Sequence, residues 1–306
     1  MADTSTPAPA GQWLGIAFIL FGSVLLASKG IFAKLLYARG LNFETVVATR
    51  AVLAMPGFVL MALWRPGPQP LTTQPPRDLW RAALAGIVCY YIGASVNFYA
   101  LTLIDASVER ALLYSYPAMV VLTTWALSRQ RPGPIMSLAV LGTFVGIVLV
   151  VGLLRSDVPA QDLIGVLLVL VCAATIVFYY ITSGPLTRSM GSAPFTAVAM
   201  TAAGLVLALH YQWRHGWQTL SMDAESWGLM GLLVVFATVL PLVLVAEGLR
   251  RVGPQRAAIA STSGPPAAAL MAALLLSETV RIDQWIGILI IAASIALLEV
   301  RRSRRA

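Results

Sequence analysis

Residues 109–117 read ERALLYSYP, and residues 255–265 read QRAAIASTSGP. Glu109-Arg110-Ala111 precede Ser115 and Pro117 in the first; Gln255-Arg256-Ala257 precede Ser261 and Pro265 in the second. The offset of 146–148 residues is close to half of the 306-residue chain. Either the chain is a doubled set of apolar helices, or two apolar segments resemble each other because they draw on a small alphabet. The surroundings of the pair decide between these readings.

Composition sets the environment. The chain is 58% hydrophobic and 11% charged, with a mean hydropathy of +0.81. A soluble domain carries about 25% charged residues, so there is too little charge here to clothe a water-soluble globule. The apolar residues fall in long blocks, the pattern of membrane spans. Breaking the chain at its polar and Pro/Gly-rich joints predicts ten spans: Trp13–Tyr37, Asn42–Leu63, Leu79–Leu103, Ser107–Leu127, Gly133–Leu153, Leu163–Pro185, Ala193–Tyr211, Ser226–Leu249, Gln255–Leu276 and Trp285–Val300. Most are close to the ~20 residues that cross about 30 Å of hydrocarbon. The longest joints, Arg65–Asp78 and Gln212–Glu225, leave no room for a soluble domain. The first twelve residues lack the basic start of a secretory signal, so the first apolar block reads as a retained span.

The basic residues test the count. With the N-terminus in the cytoplasm, Arg65, Arg77, Arg81, Arg129, Arg131, Arg188, Arg250, Arg251, Arg256, Arg301, Arg302, Arg304 and Arg305 fall inside. Arg39, Arg110, Arg155, Arg214 and Arg281 fall outside, and Lys29, Lys34 and Arg50 lie within spans. One missed span would exchange the sides of every later loop and spoil this bias. Both termini are therefore expected in the cytoplasm. The dense terminal arginines suit lipid headgroups rather than nucleic acid. Five spans per half is an odd number, so the second half starts from the opposite face and the repeats are inverted, the architecture of alternating-access carriers.

Two further patterns resemble a known family. Ala273 through Glu278 (ALLLSE), followed by Gln284 through Ile291 (QWIGILII), resembles the closing pattern of an EamA domain. Ala100-Leu101 before span 4, Pro117 within it and Arg50 in span 2 resemble the corresponding part of a first such domain. The chain thus resembles the EamA family of the drug/metabolite transporter superfamily, and within it the exporters of aromatic amino acids. The resemblance implies an all-α protein of ten transmembrane helices in two inverted five-helix repeats, residues 13–153 and 162–300, with a central cavity lined by spans 1, 3, 4, 6, 8 and 9. It implies a bacterial inner-membrane exporter of amino acids, related metabolites or drugs. One departure stands out: Gln130 occupies the position that Glu278 holds in the second half.

Charges inside spans are expensive and mark function by default. Lys29 either holds a substrate carboxylate or snorkels to the headgroups; Lys34, nearer the span end, does the latter. Arg50 reads as structural, because span 2 is expected at the periphery. Tyr91, Ser95 and Tyr99 are spaced four apart and form one stripe. With Asn97, Ser115, Tyr179, Tyr180, Ser261 and Ser263 they make the expected substrate-binding set; helix–helix hydrogen bonding is the alternative for each tyrosine. Pro117, Gly264, Pro265 and Pro266 interrupt spans 4 and 9 and are the expected hinge, against a static packing kink. Glu44, Glu109, Glu247 and Glu278 fall near predicted span ends, with Glu247 the candidate for energy coupling. Gly142 and Gly146 allow close helix approach, within the chain or across a dimer.

No catalytic constellation is present. His210 and His215 are the two histidines, and there is no zinc-peptidase motif, nucleophile elbow or phosphate-binding glycine loop. Cys89 and Cys172 fall inside spans and read as small core residues. No cofactor or metal is expected; the partners are a small-molecule substrate and the lipid bilayer, with the chain a monomer or homodimer. A nucleotide-sugar or other metabolite carrier, and a receptor or assembly subunit without transport, are the competing functions. The topology has a direct test. In a Cys89→Ala/Cys172→Ala background, a cysteine placed in the Gln212–Glu225 joint should react with an impermeant thiol reagent in intact cells, and one in the Arg65–Asp78 joint should not. Labelling of both would refute ten spans.

Overall fold

The computed structural model describes residues 9–65, 67–68, 70–129, 133–152, 159–216 and 221–303. Gln130, Arg131, Leu153, Arg155, Arg304 and Arg305 lie outside the described residues, as do the side chains of Arg250, Gln255, Arg256, Ala257, Arg301 and Arg302.

A chain this apolar must satisfy its backbone N–H and C=O groups internally, and helices do so within one segment. Span 1 is α1 (Pro9–Ala27) and α2 (Lys29–Ala38), interrupted at Ser28; span 2 is α3 (Phe43–Trp64). Span 3 comprises α4 (Pro76–Gly86), a π-helical segment (Ile87–Gly93) and α5 (Ala94–Ala100). Span 4 is α6 (Ala106–Leu113) and α7 (Tyr116–Ser128), and span 5 is α8 (Pro134–Val151). Spans 6 and 7 are α9 (Ala160–Met190) and α10 (Ser192–His215). Span 8 begins with α11 (Ala224–Val234) and a second π-helical segment (Val235–Val239) and continues into α12 (Leu240–Ser261). Span 9 ends in α13 (Gly264–Leu275), and span 10 is α14 (Ile282–Ser303).

Local chemistry sets several ends. The Asn42 side chain accepts from the Thr45 N–H at 2.7 Å and caps α3, and Asp223 caps α11 through the Ser226 N–H. Hydrogen bonding from Ser226 also holds the Asp223 carboxyl below its ordinary value. Gly152 closes α8 at φ 76°, in the left-handed conformation that glycine adopts without a Cβ penalty.

Two expected joints differ. The joint between Leu249 and Gln255 is not a break, because α12 runs through it. Arg250 and Arg251 are good helix formers, and the helix continues through Gly253 and Pro254 although these are poor ones. Span 6 likewise continues past Pro185 to Met190.

The packing shows the doubling. Spans 2 and 7, 4 and 9, and 5 and 10 pack against each other, while span 1 on span 8 mirrors span 6 on span 3. Exchanging the two halves leaves these neighbours unchanged, as a two-fold axis between inverted repeats requires. The irregularities repeat in part: the π segments fall in spans 3 and 8 and breaks fall in spans 4 and 9, whereas the break at Ser28 in span 1 has no counterpart in the continuous span 6. The two largest apolar clusters draw on both halves. One apolar cluster joins Ile31, Val47 and Phe98 to Leu207 and Leu233, and another joins Leu112 and Val150 to Val169 and Ile291. The outer surface is apolar too. Leu60, Leu63, Leu138, Leu141, Leu167, Leu209 and Leu289 are exposed across spans 2, 5, 6, 7 and 10. Exposed apolar surface on this scale belongs against lipid.

Gly142 and Gly146 face the same chain. A Cβ on Gly142 would meet the Ser294 side chain, and one on Gly146 would stand 2.8 Å from the Gly287 carbonyl oxygen. Reciprocally, a Cβ on Gly287 would stand 2.7 Å from the Gly146 carbonyl oxygen. Spans 5 and 10 thus cross backbone to backbone. Gly287→Val should destabilise by about 1–3 kcal/mol through overpacking, seen as a lower unfolding midpoint in detergent. Gly231→Ala, where a Cβ meets nothing within 4 Å, should leave the midpoint unchanged or raised.

Candidate functional site

The break in span 1 at Ser28 puts Lys29 at the first position of α2. Its Nζ donates to Asn97 Oδ1 at 2.5 Å and Glu109 Oε1 at 3.2 Å, and Asn97 Nδ2 donates to the same Glu109 oxygen at 2.7 Å. Glu109 and Asn97 are each 1% exposed. Three spans thereby meet in one buried, charge-balanced set. Glu109, expected near a span end, is a buried carboxylate, and Lys29 is already paired rather than free for a substrate. Sequence separations of 80 and 68 residues hid these contacts.

Around this set lies a cavity of about 280 Å³. Lys29, Asn97, Tyr179 and Tyr180 line it as expected, joined by Arg50, Arg110, Tyr90, Tyr114, Tyr116 and both cysteines. Spans 2 and 7 contribute through Arg50 and Met200, and among the described residues no span 9 side chain lines it. The cavity is ringed by aromatics: Tyr90 meets Tyr179 edge-on at 5.2 Å, and Tyr116 stacks on Tyr180 at 5.3 Å.

Arg50 and Arg110 are 8% and 5% exposed. Neither forms an ion pair among the described residues, and the Nε of each is buried without a hydrogen-bond partner. Arg50 lies over the Phe98 ring at 4.9 Å and Arg110 over Tyr114 at 5.1 Å. Arg110, counted above among the outer loop residues, is therefore inside the bundle. Arg50, read as structural, faces the cavity from span 2.

The remaining expected residues fall elsewhere. The π segment in span 3 carries Tyr90 on the cavity side, followed by Ala94, Asn97 and Phe98. Tyr91, Ser95 and Tyr99 occupy the other side. Tyr91 Oη lies 3.3 Å from His210 Nδ1, and Ser95 and Tyr99 line a second pocket with His210 and Arg214. Ser115 is buried as the N-cap residue of α7. Ser263 holds the same position in α13, with its hydroxyl buried and unpartnered.

Pro117, Pro265 and Pro266 sit in the first turns of α7 and α13, where a missing N–H costs nothing. The helices break just before them. The Tyr114 hydroxyl, at the first break, donates to the Ser261 carbonyl at the second, 3.4 Å away. A Cβ on Gly264 would clash with that same hydroxyl. The two interruptions are in direct contact.

Ion pairs stand at both faces. On the face of the termini, Glu247 accepts from Arg65 at 2.6 Å and Arg251 at 2.8 Å. On the opposite face, Glu278 pairs with Lys34 at 3.1 Å. It also accepts from the Ala106 N–H and the Ser107 hydroxyl at 3.0 and 3.1 Å, tying the end of span 9 to the start of α6. Among the described residues, no group of three His, Cys, Asp or Glu side chains could hold a metal.

The buried pair generates a test. Glu109→Gln leaves Lys29 charged and uncompensated, which should cost about 3–5 kcal/mol and lower the unfolding midpoint sharply. Lys29→Met/Glu109→Leu, which removes both charges, should recover most of that loss. A double variant no more stable than the single would refute the pairing.

Comparison with known proteins agrees with this architecture. The model of the EamA-like transporter family matches residues 13–152 and 163–300. The uncharacterized transporter YcbK of Bacillus subtilis is 34% identical over 277 residues, 89% of this chain and 88% of its own length. The uncharacterized inner membrane transporter YicL of Salmonella typhimurium is 24% identical over 304 residues, 95% of this chain and 97% of its own. A protein of known crystal structure superposes with a TM-score of 0.65 over 97% of this chain and 99% of its own, at 18% identity, a likeness of fold alone. With both halves matched, the chain belongs to the EamA-like transporter family.

Proposed function

We propose that the protein exports small organic molecules, amino acids and related metabolites among them, across a bacterial inner membrane by alternating access. Residues 13–153 and 162–300 are the two repeats that move against each other, and the face of the termini is cytoplasmic. The observation that carries this reading is the contact between the two broken helices beside the central cavity. Breaks in repeat-equivalent helices leave backbone carbonyls that only protein or a wet cavity can satisfy. Matched interruptions in two inverted halves are the arrangement of a carrier's central site. A receptor has no use for it.

The ion pairs support the same reading. Glu247 with Arg65 and Arg251, and Glu278 with Lys34 and α6, stand at opposite ends of the cavity helices. Each is suited to close one gate while the other opens. Because both Glu247 oxygens are engaged by arginines, we assign it to the cytoplasmic gate rather than to proton coupling. The basic character of the terminal face supports the orientation. The description of the Salmonella relative as an inner membrane transporter supports the location.

Efflux from proteoliposomes is the test. Loaded with a panel of labelled amino acids and organic acids, vesicles carrying the protein should release at least one compound faster than empty vesicles. Pro117→Ala, or Pro265→Ala with Pro266→Ala, should join half-helices into straighter ones. Each should slow turnover more than it weakens binding. Efflux at the empty-vesicle rate for every compound would refute the exporter, and wild-type rates in both proline variants would refute the hinge.

A further inference from the structure

We infer that the central cavity is a binding site for an organic anion: a carboxylic acid without a balancing ammonium, carried on an apolar or aromatic body. This deepens the exporter reading and rests on it.

The argument is a count of charge inside the membrane. Lys29, Arg50 and Arg110 line the cavity, and among the described residues no acidic side chain does. The nearby Glu109 carboxylate is spent on Lys29 and Asn97, which donate to it at 3.2 and 2.7 Å. Two guanidinium groups are left, each more than nine-tenths buried and each with an unpartnered Nε. An uncompensated buried charge is a standing cost to the fold. Here it is held twice, on spans 2 and 4, facing one space.

Guanidinium is a fixed fork of donors that matches a carboxylate. A zwitterion fits poorly, because its ammonium would find no free carboxylate. The aromatic faces nearest the charges are also taken: Lys29 and Arg50 lie against Phe98, and Arg110 lies over Tyr114. Tyr90, Tyr116, Tyr179 and Tyr180 supply walls for an apolar body. The cavity of about 280 Å³ is at the small end of ligand pockets, which run to roughly 300–1,000 Å³, and suits a metabolite.

Phenyllactate, phenylalanine and phenethylamine share one ring and carry net charges of −1, 0 and +1. Phenyllactate should raise the unfolding midpoint of the detergent-purified full chain and leave loaded proteoliposomes about ten- to hundredfold faster than phenylalanine, the cost of burying the phenylalanine ammonium without a partner. Phenethylamine should do neither. Arg50→Met and Arg110→Met should abolish the phenyllactate response while holding or raising the ligand-free midpoint, because a buried unpaired charge is gone. Arg50→Lys should restore part of the response. Two lowered midpoints with phenyllactate still stabilising would mean structural arginines and overturn the site. If phenylalanine binds and moves as well as phenyllactate, the anion site falls and the exporter stands. Stabilisation by phenyllactate without transport of any compound would keep the anion site and overturn the exporter. No stabilisation and no transport of phenyllactate would overturn the anion site.

Discussion

Inside hydrocarbon, every backbone N–H and C=O must find a partner within the protein, and the rest of this structure follows from that constraint. It forces helices, and it decides where helices are allowed to fail. Ser28, the Tyr114–Ser115 step and the Thr262–Ser263 step interrupt three spans, and the two π segments loosen two more. These irregularities cluster toward the axis, where side chains repair them: Tyr114 on the Ser261 carbonyl, Ser28 on Leu25, Thr238 on Leu233. The peripheral spans 2, 5, 7 and 10, which face lipid with leucines, are uninterrupted. Regularity outside and irregularity inside give the cavity its place.

Charge obeys the same rule at higher stakes. Lys29, Asn97 and Glu109 settle their accounts among themselves on spans 1, 3 and 4. Lys34 and Glu278 do so near one face, and Arg65, Arg251 and Glu247 near the other. Against that background of pairing, Arg50 and Arg110 stand apart. Natural membrane proteins keep such groups where function requires them.

Much of the fold was legible because its signals are local. The apolar blocks marked the spans, and the serine and proline of the doubled motif marked both broken helices. The helical run across Leu240–Ser261 was missed, since a polar joint between apolar blocks looks like a loop whether or not its backbone stays helical. The site was legible only in part. Lys29, Asn97, Tyr179 and Tyr180 line the cavity, but four-residue spacing chose the face of Tyr91, Ser95 and Tyr99. Spacing identifies a face without saying which way it points; Tyr90, one residue away, lines the cavity. Arg110 was counted with the outer face because it lies within a turn of the expected start of span 4 at Ser107; the helix begins at Ala106 and carries it inside the bundle. The available signal is Glu109 beside it: two adjacent opposite charges within an apolar span point to buried partners.

Uncompensated charge at mid-protein also makes a protein sensitive to voltage. Moving one elementary charge through 100 mV is worth about 2.3 kcal/mol. If the carrier alternates as proposed, an empty cavity with a net charge set by Arg50 and Arg110 is more stable when it opens to the electrically negative compartment, the cytoplasm of a bacterium. A bound monoanion cancels one of those charges and weakens the preference. In the proposed exporter, the field would thus hold the vacant state facing the cytoplasm and release it once loaded, so that rectification would arise from two arginines without a titrating group.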